Sequence, residues 1–165
     1  LAVLLCAIAS LRSSYSDVRL TLVGRPKPGG DTEKLIASLG LGDVVESYKD
    51  ISHEEMVQKY ASASVAVVPS IYEGFGVPAV EAMACGVPLV STDGGALAEV
   101  VEDAGLVVPT GDSEALAAAI RLLFEDDQLR DEYGSRGLSR AEQHFCWNRC
   151  AERMEAYYRE CIAAC

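Results

Sequence analysis

Residues 69–95 read PSIYEGFGVPAVEAMACGVPLVSTDGG and contain, in order, the end of an apolar run, a loop with two glycines, a helical stretch, a second apolar run and a glycine pair. Strand, helix and strand in this order are typical of a βαβ unit. In an open α/β sheet, ligands bind beyond the carboxyl ends of the strands, which is where both glycine loops fall. The stretch therefore predicts an α/β fold with a candidate ligand site at one edge of its sheet.

The same alternation of short β-branched runs and longer amphipathic stretches continues on both sides of this segment. It predicts a Rossmann-like parallel sheet with helices on both faces. Strands are expected at 18–24, 44–48, 64–70, 88–92 and 105–109. Helices are expected at 31–39, 53–62, 78–85, 96–101 and 127–143, with others at the apolar N-terminus, after Ser113 and at the C-terminal end. No linker interrupts the pattern, so residues 1–165 are predicted to form one domain.

Polar residues mark several of the expected helix starts. Ser52, followed three residues later by Glu55, forms a capping-box pattern. Ser113 is expected to cap a later helix, and Pro78 suits a first helical turn. Glu81 is placed in the first turn of the helix that opens at Pro78, near the positive end of its dipole.

The charge balance excludes two classes of partner. The chain has 25 acidic and 14 basic residues. Nucleic acid and anionic lipid bind clusters of cationic side chains, so neither is expected as a partner. No apolar run approaches the ~20 residues that a membrane-spanning helix needs. The N-terminal LAVLLCAIAS lacks a basic segment before it and is interpreted as a core helix rather than a signal peptide.

The C-terminal segment contains cysteines at helical spacing and several aromatic residues. The six cysteines are Cys6, Cys85, Cys146, Cys150, Cys161 and Cys165. Cys146 and Cys150 are four residues apart, as are Cys161 and Cys165. A zinc site on these two pairs is geometrically conceivable, but the spacing favours simple filling of an apolar helix face. Free thiols in an acidic α/β chain indicate a reducing cytoplasm. Structural roles are expected for His53 and His144, and packing on the outer face for Phe145 and Trp147.

The central stretch carries the candidate chemistry. Gly74 and Gly76 allow the backbone to approach a ligand closely, and the following helix start adds a positive dipole end. Glu73 and Glu81 flank this loop, and both carboxylates are expected to face one pocket, where they would accept paired hydrogen bonds from sugar hydroxyls. Each feature alone also fits a tight turn or a helix-dipole contact. Their combination favours a binding site.

This combination resembles the family 4, or group 1, retaining glycosyltransferases. Their C-terminal Rossmann-like domain carries two glutamates separated by seven residues, matched here by Glu73 and Glu81 in EGFGVPAVEAMACGVP. The following STDGGALAEVV is similar to the family's Gly-Gly loop, which here contains Gly94 and Gly95 and ends at Glu99. The resemblance implies that the chain is the C-terminal, donor-binding half of a GT-B glycosyltransferase.

The resemblance also implies roles for individual residues. Glu73 would contact the donor sugar as the catalytic residue, and Glu81 would bind the ribose of a UDP-, GDP- or ADP-sugar. Backbone N–H groups at residues 74–77 would hold sugar hydroxyls or diphosphate. Further loop or phosphate contacts are expected at Gly24, Arg25, Lys27, Gly94 and Gly95. Neither a metal nor another cofactor is implied, because an Arg and Lys pair neutralises the leaving diphosphate in this family.

Some of the family's pattern has no counterpart in this sequence. The Arg and Lys pair is expected just before Leu1, and the acceptor-binding N-terminal Rossmann domain is expected before that pair. Lys49 stands where the family usually has glycine, which leaves the preferred base open. The isolated chain is therefore expected to be inactive. The whole protein is expected in the cytoplasm, with any peripheral membrane association acting through the absent half.

Other functions are also compatible with these residues. The chain could be a non-catalytic nucleotide or nucleotide-sugar-binding module, or part of a GT-B-type sugar epimerase, because a fold does not fix its chemistry. A dinucleotide-dependent dehydrogenase would need G-x-G-x-x-G directly after the first strand. The first expected strand instead ends in VGRPKPGG, which does not fit that pattern.

Overall fold

A computed structural model describes residues 1–164 as an alternation of short strands and helices. The strands are β1 Leu20–Val23, β2 Val45–Tyr48, β3 Ala66–Val68, β4 Leu89–Thr92 and β5 Leu106–Val108. The helices are α1 Ala2–Arg12, α2 Asp31–Ser38, α3 His53–Ala61, α4 Val77–Ala84, α5 Leu97–Val101, α6 Ser113–Glu125, α7 Asp127–Arg140 and α8 Trp147–Ala163. A π-helical turn, Ala141–Phe145, joins α7 to α8.

The strands are parallel and pair as two separate sheets. β1 pairs with β2, while β3, β4 and β5 pair in that order. The predicted parallel α/β architecture is therefore confirmed. The expectation of one continuous sheet differs from the structure, because β1 and β3 do not pair with each other.

Helices cover both faces of the larger sheet, as predicted. Val90 of β4 lies in a core with α1 and α6, whereas the preceding Leu89 lies in a second core with α4 and α5. Successive side chains of a strand point to opposite faces, so each core occupies one side of β4. All four residues of β4 are buried, which identifies it as the centre of the packed domain.

The helix starts are mostly where the sequence predicts them. Ser52 and Glu55 form the capping box in full. Two placements were wrong. Asp112, not Ser113, caps α6, and it accepts hydrogen bonds from the N–H groups of Glu114 and Ala115. Glu81 is the fifth residue of α4 rather than part of its first turn, because the helix begins at Val77 directly after the left-handed Gly76.

The C-terminal helix α8 has no buried residue among those described. The prediction that its cysteines fill an apolar face was wrong for Cys150 and Cys161, which are exposed. Trp147 is also 88% exposed and does not pack on the domain. Phe145 is partly buried against the second core, as expected. Cys165 lies outside the described residues.

Within residues 1–164, none of the helices has both the length and the apolar character that crossing a bilayer requires.

Candidate functional site

Two loops meet at the carboxyl ends of β3 and β4, and backbone hydrogen bonds join them. The first loop precedes α4 and contains Glu73. The second follows β4 and contains the glycine pair. The N–H of Glu73 donates to the carbonyl of Gly94 over 3.3 Å, and the N–H of Ala96 donates to the carbonyl of Glu73 over 2.9 Å. These bonds make the two loops one structural unit, as the sequence predicted from their common edge.

Close approach of the two backbones requires both glycines of the second loop. A Cβ on Gly94 would lie 2.6 Å from the carbonyl oxygens of Ser70 and Ile71. A Cβ on Gly95 would lie 2.2 Å from the carbonyl oxygen of Glu73, and Gly95 also has a φ of +67°. The pair is therefore needed to hold Glu73 in place, in addition to any contact with a ligand.

The loop between Glu73 and α4 presents a run of unused backbone donors. Among residues 1–164, the N–H groups of residues 74–77 donate no hydrogen bond to protein acceptors. Gly76 adopts the left-handed conformation at the N-cap of α4, and a Cβ there would lie 2.7 Å from Leu97. Free N–H groups at a helix start attract an anion or a hydroxyl oxygen.

The carboxylate of Glu73 is positioned by its own loop. It accepts a hydrogen bond from the hydroxyl of Ser70 over 2.8 Å. The carbonyl of Ser70 in turn accepts a hydrogen bond from the buried Thr92 hydroxyl of β4. Thr92 thus links the position of the Glu73 side chain to the central strand.

The carboxylate of Glu81 is held from a different direction. The Tyr60 hydroxyl, on α3, lies 3.3 Å from it and 3.4 Å from the carbonyl of Pro78. Burial, the negative charge of Glu81 and this hydrogen bond together raise the pKa of Tyr60 to about 12. Burial and the charge of Glu81 also raise the pKa of the Cys85 thiol. Both groups are therefore neutral at physiological pH, and Glu81 accepts from an uncharged donor.

Apolar side chains surround the loop and are exposed. Ile71, Tyr72, Phe75 and Val77 are exposed by 81%, 76%, 49% and 55% respectively. Phe75 packs edge-on against Phe145 of the π-helical turn, with 5.7 Å between ring centroids. Several exposed apolar side chains in one place are typical of a binding surface.

The other residues predicted to contact the ligand, Gly24, Arg25 and Lys27, do not belong to this pair of loops. Gly24 directly follows β1 with a φ of +114°, and Arg25 and Lys27 are exposed. Within the described part of the chain, no hydrogen bond or ion pair connects these basic residues to the loop at Glu73. Nearer the glycine pair, Asp93 accepts hydrogen bonds from the hydroxyl and the N–H of Thr110, which lower the pKa of its carboxyl group.

A cavity of about 820 Å³ lies between β1 and β3. Glu81 and Pro78 line it, but Glu73 is not among its lining residues. A single pocket shared by both carboxylates therefore stays a prediction. No three His, Cys, Asp or Glu side chains cluster so as to hold a metal ion within residues 1–164.

The sequence predicted the loop and both glutamates but not their partners. Tyr60 and Phe145 lie on other segments, and only the packing brings them to the site, whereas Ser70 lies three residues before Glu73 in the same loop. The arrangement combines an acceptor, free N–H donors and apolar surface. These groups suit a ligand that carries hydroxyls, negative charge and a planar or apolar part.

Comparison with known proteins assigns this arrangement to a family. Residues 1–140 match the family described as Glycosyl transferases group 1. The chain is 46% identical, over 164 residues, to an MMP alpha-(1->4)-mannosyltransferase of Mycolicibacterium hassiacum. That match covers 97% of this chain and 39% of the relative, so the chain spans about two fifths of the relative's length.

Solved structures give the same result. A sucrose-phosphate synthase from Thermosynechococcus elongatus superposes with a TM-score of 0.82 at 34% identity, covering 98% of this chain and 43% of that one. Anabaena HepE in complex with UDP-glucose superposes with a TM-score of 0.79 at 28% identity, covering 93% of this chain and 44% of that one.

Proposed function

Because this chain belongs to the Glycosyl transferases group 1 family, we propose that it binds a nucleotide-diphosphate sugar for retaining transfer of a hexosyl group to an acceptor. The observation that carries the proposal is the run of free N–H groups at residues 74–77, between Glu73 and the start of α4. Donors fixed in this way stabilise negative charge without reorganising during the reaction.

The two glutamates are assigned to different parts of the donor. Glu73 leads into the free N–H groups and is oriented by Ser70, so we assign it to the hexosyl group at the reacting centre. Glu81 lies further along α4 and accepts a long hydrogen bond from Tyr60, the one donor that it has among residues 1–164. A carboxylate with remaining acceptor capacity suits the vicinal hydroxyls of ribose. We therefore assign Glu81 to the nucleoside.

The leaving diphosphate is assigned to the loops and to cations. The N–H groups of residues 74–77 and the loop at Gly94 and Gly95 would contact it, with Gly24, Arg25 and Lys27 at the neighbouring strand end. The net charge of −11 favours an additional cationic group at this place, because the chain as a whole repels a diphosphate. We place that group, a basic pair, in the polypeptide before Leu1, and we expect no metal to be required.

The similarity to a protein solved with UDP-glucose supports a nucleotide sugar as the donor. The mannosyltransferase relative supports hexosyl transfer. Because the chain spans about two fifths of that relative, we assign acceptor binding to the rest of the longer protein and expect these 165 residues alone to be inactive.

The longer protein and the 165-residue chain should be compared with UDP-, GDP- and ADP-hexoses. We expect the longer protein to transfer the sugar from one of these donors with its anomeric configuration kept, and to do so equally well with a chelator. The isolated chain should bind the matching nucleoside diphosphate weakly and transfer nothing. Product configuration and turnover are read by NMR.

Three outcomes would replace this proposal. An inverted product would exclude retaining transfer. Binding without turnover in the longer protein would identify a nucleotide-sugar-binding module. Change of the donor sugar's configuration without transfer to an acceptor would identify an epimerase.

A further inference from the structure

The ring of Phe75 lies in the middle of the free N–H groups of residues 74–77. Among residues 1–164 these groups donate to no protein acceptor, so they do not hold this stretch of backbone in place. The Phe75 ring instead packs edge-on against Phe145, with 5.7 Å between ring centroids and 85° between ring planes. Aromatic pairs in this geometry attract each other beyond the burial of their surfaces. The contact therefore restrains the loop from a segment 70 residues further along the chain.

The backbone that carries Phe145 is unusual. Phe145 ends the π-helical turn that follows α7, and Ala141 at the start of the turn is buried in the second core. Phe145 packs against the same core, so both ends of the turn are held. Such turns are rare, and they are frequent at functional sites. Here the turn carries the chain past α4 and places an aromatic ring against the loop that precedes this helix.

Arg140 ties the turn to α5. Its guanidinium group donates to the carbonyls of Glu99 and Val100, each over 2.7 Å. It also donates to the carboxylate of Glu102 over 2.8 Å, and it lies 5.7 Å from the centroid of the Phe145 ring. The Arg140 side chain is largely buried, and hydrogen bonds from a charged group are the strong ones. Arg140 is therefore a fixed support on which Phe145 rests.

The turn thus reaches both loops of the site from the side of the second core. Phe145 contacts the loop before α4, and Arg140 contacts α5, which begins two residues after the glycine pair. Donors that are fixed before a ligand arrives need no ordering when it binds or reacts.

We propose that Phe145 is a positioning residue for sugar transfer: through its contact with Phe75 it keeps the N–H groups of residues 74–77 in the conformation that receives the donor. Arg140 supports Phe145 in this role. The effect on transfer rests on the proposed function, whereas the order of the loop is a property of the protein without ligand.

Amide relaxation in the ligand-free longer protein tests the order of the loop. Phe145→Leu removes the ring and keeps an apolar side chain in the second core. The order parameters of residues 74–77 should fall from about 0.85 to below about 0.6. Phe124→Leu is the matched control, because it removes one ring of the other edge-on pair, Tyr15 and Phe124, at 5.5 Å in the first core. It should leave the loop unchanged.

A second variant removes the other ring of the contact. The Phe75 side chain is half-exposed, so Phe75→Leu leaves both cores intact. It should loosen the same amides as Phe145→Leu. The double variant should loosen them no further, because both substitutions remove one and the same contact.

Steady-state kinetics of the longer protein test the consequence for transfer. Phe145→Leu should lower kcat about two- to tenfold, which is the range expected for one aromatic pair. The KM for the acceptor should stay within about twofold, because the acceptor is assigned to another part of the protein. Phe124→Leu should change neither constant.

Two results would overturn the inference. One is a loop equally ordered in Phe145→Leu and in the unmodified protein. The other is an equal loss of order in the Phe124→Leu control, which would make Phe145 only a part of the core. A loop that loosens in Phe145→Leu alone, in a longer protein that transfers no sugar, would support the contact and contradict the proposed function.

Discussion

Glu81→Ala is expected to weaken binding of a nucleoside diphosphate to this chain about five- to 150-fold, or ~1 to 3 kcal/mol. Alanine removes the acceptor that we assign to the ribose hydroxyls and leaves those hydroxyls unpaired in the complex. Glu81 is partly buried, and within residues 1–164 its one hydrogen-bond donor is the long contact from Tyr60, so the carboxylate has capacity left for a ligand. Isothermal titration with UDP, GDP and ADP measures the loss.

Three controls distinguish this role from general damage to the fold. Glu81→Gln keeps the shape and one acceptor oxygen and should lose less affinity than alanine. Tyr60→Phe removes the protein partner of Glu81 and should change affinity by less than about threefold. Glu114→Ala removes an exposed carboxylate from another helix, α6, and should have no effect. Equal affinity of Glu81→Ala and the unmodified chain would contradict the ribose assignment.

Gly95→Ala is expected to lower the free energy of unfolding by at least about 2 kcal/mol. The new Cβ would lie 2.2 Å from the carbonyl oxygen of Glu73, at a φ of +67° that alanine rarely adopts. Strain of the backbone and the steric overlap each cost about 1 to 3 kcal/mol, and the loops can separate only by losing the hydrogen bonds at Glu73. Urea denaturation followed by circular dichroism gives the change.

Gly74→Ala is the matched control, because it lies in the same loop as Glu73. A Cβ at Gly74 would meet nothing within 4 Å, and its φ lies outside the left-handed region. Its unfolding free energy should change by less than about 1 kcal/mol. Equal stability of the two variants would show that the close approach of Gly95 to the Glu73 carbonyl does not limit the residue at position 95.

The sequence predicted the strands and helices well but not the pairing of the strands. Apolar periodicity reports which residues are buried along an element, so β4 and α4 could be placed closely. Pairing depends on which strands become neighbours. Nothing in the pattern of β1 or β3 indicated that their facing edges would be free. The α6 cap was missed by one residue because Asp112 and Ser113 are both good N-cap residues.

The site could be predicted only in part for a related reason. Glu73, Glu81 and the glycines lie in one segment with recognisable spacing, whereas Tyr60 reaches Glu81 from 21 residues earlier in the chain. Such a contact depends on the Tyr60 side chain reaching across to α4 and has no local signature. The exposure of Trp147 was also unpredictable, because an amphipathic helix indicates an apolar face but not what covers it.

We expect a nucleotide to bind where the loop before α4 meets the loop after β4. Amide chemical-shift changes, mapped while the chain is titrated with the nucleoside diphosphate it prefers, locate the binding surface. The largest changes should occur at residues 73–77, at Glu81 and at Gly94 and Gly95. Changes confined to the cavity between β1 and β3, with the two loops unaffected, would contradict it.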